Sequence, residues 1–570
     1  MAHELRFQIK DKDIGARIGE LEIDGKGIKT PAIMPVYNPN KPTIPIKDLK
    51  DKFGIRIVMT NSYILYKNSD LRNKVIENGI HRFLNFDGLI ATDSGSYQLM
   101  RYGTVSVSNR EIIEFQERIG SDIGSFLDIP TLPNAYKPRA IEQLELTLER
   151  AGGAENAKFV VNAGIQGSTF LDLRKKAAIE IGKRFRLCAI GGIVRLMEDY
   201  RFSDLVDIIV TVKKNLPTNR VVHAFGLGHP MSMGLVVALG CDIFDSAAYA
   251  LYAQEFRYIT EYGTKKLHDM EYLPCSCPVC NKYGVELKEL PNEEKIRELA
   301  RHNLYVTIEE LNRIKEAIRE GVLWELLSIR ARSHPSLIEG INRVTRHNKF
   351  LSKLDPITKN SGFFVSGRES TQRTEVINTR VRAKRVTSKK LIMLRPFGNI
   401  PVEVLDIYPF NSFMCPELAD KRKGISDIDI FRAILDYQFG SGASEIIDRI
   451  SVKKSRNTGR MRWIYQGREL IASIRASDHF IIPKLPLAEK LKEKFPLPRL
   501  RVIIDKDAVP FVREGKSVFA KFVVDVDKDL RAGDEVLIVD QNDNLIRTGT
   551  LLLSPEEVKD FDYGVAVRVR

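Results

Sequence analysis

Between about residues 30 and 250 the chain repeats one unit: a short apolar run that ends in polar or glycine residues, followed by an amphipathic, helix-compatible segment. The runs are AIMPVYN (from Ala32), IRIVMTN (from Ile55), GLIATDSG (from Gly88), IGSFLDIP (from Ile123), FVVNAGIQG (from Phe159), FRLCAIGG (from Phe185), RVVHAFGLG (from Arg220) and CDIFDS (from Cys241). Segments such as PRAIEQLELTLERAG and SDLVDIIVTVKKN lie between them, so strands alternate with helices and the strands must be parallel. Eight such units predict an α/β fold of the closed (β/α)8 TIM-barrel type rather than an open doubly wound sheet.

A barrel of this kind carries its chemistry where strands end and loops begin, at the C-terminal face. Asp93 and Ser94, Asp128, Gln166, Gly191 and Gly192, His229 and Asp245 all fall at the ends of their apolar runs. An isolated Asp or Ser there usually caps the next helix, an amide is usually solvated, and paired glycines usually make a tight turn. A convergent set of carboxylates, an amide and glycine turns points instead to a binding site. Asp242 and Asp245 share the last run, but strand alternation places them on opposite faces, so only one can enter a common pocket. His229 admits both phosphate binding and helix capping and is left without a role.

Behind the repeat comes Cys275-Ser-Cys277-Pro-Val-Cys280, with His302 following in ARHNLY. Three thiolates and an imidazole fill the four tetrahedral positions that zinc prefers. His268 and His347 are alternative fourth ligands; the helix-compatible setting and moderate loop distance favour His302. A full shell leaves no place for water or substrate, so the predicted zinc, one per chain, is structural. The other cysteines, Cys188, Cys241 and Cys415, stand alone, which argues against a disulfide framework.

No stretch approaches the roughly 18 consecutive apolar residues of a membrane span, and MAHELRFQIKDKD lacks a signal-like apolar region, so the expected location is the cytoplasm and no membrane partner is expected. A formal charge of +14 makes nucleic acid the first partner to consider. Two basic runs, TRVRAKRVTSKK (from Thr379) and KKSRNTGRMRW (from Lys453), concentrate that charge in the C-terminal part. At 570 residues the chain exceeds a single core. The expected domains are a catalytic barrel over 1–360 with a zinc-binding region at 270–305, small α+β domains at 361–425 and 426–496, and a β-rich module at 497–570.

The motifs together resemble a known family. DSGSYQ (Asp93 to Gln98) is similar to the DSGG(F/Y)Q signature of tRNA-guanine transglycosylases, and GIQG, AIGGI, GLGHP and DIFDSAAY match further blocks in the family's order. The cysteine cluster with its downstream histidine resembles the family's zinc site. This likeness covers about residues 5 to 350, and the C-terminal module resembles an RNA-binding PUA domain. Only the archaeal branch carries such domains on one chain, so the resemblance implies archaeosine biosynthesis: guanine at position 15 of the tRNA D-arm is exchanged for 7-cyano-7-deazaguanine. Ser96 stands where the signature has its second glycine, Tyr97 is the aromatic, and Ser246 replaces the bacterial cysteine.

The resemblance assigns Asp245 as the nucleophile that captures the ribose and Asp93 as general acid and then base, in a double displacement. It implies that Asp128, Gln166, Gly191, Gly192 and Ser94 hold the flipped base, with Tyr97 stacked on it, and that the protein is a homodimer. The partners it implies are tRNA, guanine and 7-cyano-7-deazaguanine. Beside it stand a pure RNA-binding scaffold, which would explain the basic C-terminal part but not the strand-end carboxylates, and two further rivals. One is a tRNA-binding paralogue or an archaeosine synthase-like enzyme without exchange activity, disfavoured by the presence of both aspartates and the absence of a Lys-Pro-Tyr block. The other is a zinc hydrolase, which needs the open metal position that a Cys3His set does not leave.

Overall fold

The computed structural model describes residues 4–96 and 107–570. Chain contacts divide it into two compact units: residues 1–11, 15–318 and 326–344 form the first, and residues 12–14, 319–325 and 345–570 the second.

At the N-terminus stands a three-stranded sheet, β1 (Leu5–Asp13), β2 (Ala16–Ile23) and β3 (Lys26–Thr30). The eight apolar runs then supply β4 (Ala32–Pro35), β5 (Ile57–Asn61), β6 (Leu89–Asp93), β7 (Ile123–Gly124), β8 (Val160–Ile165), β9 (Leu187–Ile190), β10 (Val221–Ala224) and β11 (Ile243–Ser246). They lie in one sheet in the order β4-β11-β10-β9-β8-β7-β6-β5, all pairs parallel. A parallel bridge between Val36 and Met59 joins the two ends, and the Tyr37 N–H donates to the Met59 carbonyl at 2.7 Å. The expected barrel is therefore present. Every residue of β8, β9 and β10 is buried, as expected of strands covered on both faces.

The N-terminal sheet is tied to the end of the barrel where strands begin. Arg17 on β2 grips Asp242, just before β11, through two bonds of 2.7 and 2.8 Å, and also donates to the Arg220 carbonyl ahead of β10 at 2.5 Å. Asp242 in turn accepts from the Val222 N–H at 2.8 Å and is wholly buried. Removing either member of such a pair strands the other charge, at about 3–5 kcal/mol. Helices return between the strands, for example Asn109–Ile119. There Ser108 and Glu111 form a reciprocal capping box, and Gly120 stops the helix with φ +76°, a conformation glycine adopts without strain. After the barrel, β12 (Arg257–Thr260) and β13 (Gly263–Lys266) form a hairpin that precedes the helix Asn292–Glu320.

In the second unit, a four-stranded sheet spans Ser451–Lys454, Met461–Gln466, Glu469–Ile474 and Ile481–Pro483, and a six-stranded sheet is built from strands between Arg501 and Val569. Lys359 is buried among Asp13, Asp355 and Glu375, three carboxylates that need its charge. The two basic runs differ here. In the first, Arg382 is buried and paired fork-to-fork with Asp534 at 2.7 and 2.8 Å, Arg380 donates to the Pro396 carbonyl, and Arg385 to that of Tyr437 at 3.2 Å. In the second, Lys453, Lys454, Arg456 and Arg460 are exposed, and Trp463, opposite Lys453 on the next strand, is 42% exposed. Internal packing thus consumes much of the first run, while the second remains on the surface.

Candidate active site

Alternation along β11 sends Asp242 to the Arg17 pair and Asp245 to the other face, at the strand's C-terminal end. One Asp245 oxygen, Oδ1, accepts two hydrogen bonds: from His223 Nε2 at 2.9 Å and from the Gly226 N–H at 2.6 Å. His223 opposes Ile243 in the β10–β11 register, two residues below Asp245, and lies wholly buried.

Asp93 ends β6. Asn61, which ends the adjacent β5 and pairs with it in register, donates its Nδ2 to Asp93 Oδ2 at 2.8 Å, and the Ser62 hydroxyl donates to the Asp93 carbonyl at 2.7 Å. Burial, followed by the charges of Asp128 and Asp245, raises the Asp93 carboxyl to about 7. Asp128 and Asp245 therefore both lie within electrostatic reach of Asp93, so Asp93 shares its strand-end mouth with two further carboxylates. A carboxyl near neutrality both gives and takes a proton readily.

Asp128 is buried, and burial raises its pKa, opposed by hydrogen bonds from Ser96 and Gln166. Gln166 Nε2 donates to Asp128 Oδ2 at 2.5 Å, leaving the buried Gln166 Oε1 without a partner among the described residues. Two glycines make this pair possible. A Cβ on Gly164 would stand 2.5 Å from Asp128 Oδ2, and one on Gly191 would stand 2.1 Å from Gln166 Nε2. Gly192 has φ +67°, and a Cβ there would reach 3.0 Å from the Thr131 carbonyl and 3.2 Å from Gln166 Oε1. The result is a carboxylate and an amide beside bare backbone, suited to the edge of a flat base.

Ser94 is buried; its hydroxyl donates to the Phe126 carbonyl at 2.9 Å, and its N–H donates to Ser125 Oγ at 3.0 Å. Its backbone is thereby fixed beside Asp93. Tyr97 lies outside the described residues. His229 caps the helix Pro230–Ala238, its Nδ1 accepting from the Met231 N–H at 3.2 Å. Burial lowers its pKa to about 4, so the ring is neutral.

Three residues beyond the strand-end set hold these groups: Asn61, Asn162 and His223. Asn61 closes the run IRIVMTN and obeys the same strand-end rule. Asn162 and His223 sit inside apolar runs, where a polar side chain in a strand buried on both faces is itself the signal.

Apart from the barrel mouth, Cys275, Cys277, Cys280 and His302 bring their ligand atoms within 4.8 Å of one another. Cys280 Sγ lies 3.3 Å and Cys277 Sγ 3.5 Å from His302 Nδ1. A tetrahedral zinc with the usual bond lengths separates sulfur and nitrogen ligands by roughly 3.5 Å, so the donor set fits. His302 Nε2 meets the Ile259 carbonyl at 3.0 Å, which leaves Nδ1 free to ligate, and Tyr258 stacks on the ring at 3.7 Å. The hairpin thus orients the ligand that the long helix supplies.

A parallel barrel whose strand ends gather three carboxylates and an amide, with a separate cluster of four residues that could hold a metal ion, defines a barrel enzyme. Residues 11–336 match the family model described as queuine tRNA-ribosyltransferase, residues 429–498 the patch-forming domain C2 of tRNA-guanine transglycosylase, and residues 500–570 the PUA domain. Proteins named tRNA-guanine(15) transglycosylase from Thermococcus onnurineus and Thermococcus kodakarensis are 49% and 48% identical over 100% of the chain and 99% of their own length. One of that name from Methanocaldococcus jannaschii is 42% identical over 99% of each. The chain belongs to the tRNA-guanine transglycosylase family and is a pentosyltransferase.

Proposed function

We propose that this chain exchanges guanine at position 15 of archaeal tRNA for 7-cyano-7-deazaguanine by two successive displacements at the ribose. The observation that carries the reading is Asp245: one oxygen is pinned by two donors, and the carboxylate lies within electrostatic reach of an Asp93 poised near neutrality. The target base leaves the stack, since its glycosidic bond is inaccessible in folded RNA. Asp128 accepts from its amidine edge, Gln166 and the backbone at Gly191 and Gly192 receive its other edge, and Tyr97 stacks on it. An Asp245 oxygen attacks C1′, the C1′–N9 bond breaks, and Asp93 gives the departing guanine its proton. The incoming base then loses its N9 proton to Asp93 and attacks C1′, releasing Asp245 as a carboxylate. Configuration is retained and no redox step is required.

Cys275, Cys277, Cys280 and His302 would hold a zinc ion, which supplies no chemistry to the reaction and instead fixes the hairpin to the long helix. The C-terminal domains, with boundaries near 361, 426 and 497, would bind the tRNA, and the enzyme would act in the cytoplasm as a homodimer. In support, no helix among the described residues is long and apolar enough to cross a membrane. The test is incorporation of radiolabelled guanine into an unmodified archaeal tRNA transcript. Incorporation is expected with the wild type and not with Asp245→Ala, nor with tRNA lacking guanine at position 15. Wild-type protein that binds the tRNA yet incorporates nothing would overturn the reading in favour of a non-exchanging paralogue.

A further inference from the structure

The hydrogen bonds beneath Asp245 form a chain that neither the reaction scheme nor the family match assigns. Asn162 on β8 reaches past β9 to His223 on β10, its Nδ2 lying 2.9 Å from His223 Nδ1, and His223 Nε2 lies 2.9 Å from Asp245 Oδ1. An amide nitrogen can only donate, so Nδ1 accepts and the ring proton sits on Nε2, where it donates to Asp245. The reversed amide would leave either an imidazole lone pair against the carboxylate or a buried imidazolium. A neutral ring beside the carboxylate therefore takes the order observed, and in either order the Nε2–H faces Asp245 Oδ1. His223 is wholly buried and Phe225 packs on its ring at 4.5 Å, so the ring cannot turn away.

We propose that His223 is a positioning residue that decides which oxygen of Asp245 attacks and eases that oxygen's release. The proposal rests on Asp245 being the nucleophile. The His223 ring and the Gly226 N–H both bind Oδ1, and among the described residues Oδ2 takes no hydrogen bond. The Oδ2 lone pair thus faces the ribose as the bond-forming pair. Once Oδ2 is esterified to C1′, Oδ1 becomes the ester carbonyl. In the second displacement the C1′–Oδ2 electron pair returns to the carboxylate, and negative charge grows on Oδ1, where two donors already wait. Donors preorganised at a site of developing charge accelerate the step that develops it. The same donors slightly weaken the nucleophile, so their loss harms discharge of the ester more than its formation.

The experiment measures both half-reactions in single turnovers: formation of a covalent enzyme–tRNA complex, read on denaturing gels, and its discharge by added guanine. His223→Ala is expected to slow discharge roughly 10- to 100-fold and formation less, so that the covalent complex accumulates at steady state while KM for tRNA stays within about twofold. His223→Gln, which can return an N–H toward Oδ1, is expected to recover most of the discharge rate. Asn162→Leu removes only the tautomer lock, with expected slowing of several-fold in the same step; it carries the test should the alanine variant fail to fold. Equal slowing of both half-reactions, an effect on KM alone, or no change in Asn162→Leu overturns the role of His223. A wild-type enzyme that forms no covalent complex, with Asp245→Ala indistinguishable from it, instead overturns the assignment of Asp245.

Discussion

Asp93 has an ordinary carboxyl pKa near 3.8 in an open chain and about 7 in the fold, because burial and two neighbouring carboxylates oppose its charge. Between those values the folded protein holds a proton that the unfolded chain has released. Stability from this group is therefore fully present below about pH 4 and is lost as pH rises through 7. Asp93→Asn removes that dependence while keeping an oxygen for Asn61. Relative to wild type, the variant is expected to gain on the order of 1–3 kcal/mol between pH 4 and pH 8, allowing for partial exposure at the strand end. Its exchange rate should fall by roughly 10²- to 10⁴-fold. Denaturant unfolding of both proteins at pH 4, 6 and 8 checks this: a stability difference that stays flat across the series would show that Asp93 titrates as an ordinary carboxylate. The aspartates were legible in sequence because each ends an apolar run. The groups that tune them were not, since nothing local tells that Asn162 reaches past a neighbouring strand to His223, or that Gly164 must be bare for Asp128 to fit.

At the scale of elements, the eight strands were legible for a physical reason: parallel strands covered on both faces need apolar residues at nearly every position and so read as runs. The N-terminal sheet escaped because β1 is charged along half its length and buries only alternate stretches. Likewise β7 keeps just Ile123–Gly124 in ladder pairing, although its run continues to Pro130. The metal cluster shows how spacing and fold divide the work. Cysteine spacing predicts three ligands, but the choice of His302 over His268 depends on the hairpin: His302 is buried under Tyr258, whereas His268 is exposed and meets Asp269. Because the cluster joins a short loop to a long helix, the metal proposed above would contribute to folding rather than to reaction. Chelator treatment or Cys280→Ser is therefore expected to lower the unfolding midpoint and activity together, with metal-free protein that is still folded retaining its exchange rate. Loss of activity in chelated protein whose circular dichroism and melting are unchanged would point to a catalytic metal instead.

The whole molecule carries +14, but charge counts toward RNA binding only where it is free to meet phosphate. Arg382 is held by Asp534 inside the second unit, so Arg382→Ala should destabilise that unit, by about 3–5 kcal/mol, through the carboxylate it strands. It should leave the salt dependence of tRNA binding unchanged. The exposed hairpin of the second run behaves oppositely. Lys453 and Arg456 stand on the surface, and Lys453 lies across from the exposed indole of Trp463, an arrangement that offers both a phosphate contact and a stacking face. Each phosphate neutralised releases counterions, so the logarithm of the binding constant falls against the logarithm of salt with a slope of about 0.7–0.9 per contact. The double variant Lys453→Ala, Arg456→Ala is expected to reduce that slope by about 1.4 to 1.8 in anisotropy titrations between roughly 50 and 400 mM salt. Melting behaviour and the exchange rate at saturating tRNA should be unchanged. A slope equal to wild type would remove this hairpin from the tRNA footprint and shift the search to the six-stranded sheet, where Phe519 and Val524 are exposed.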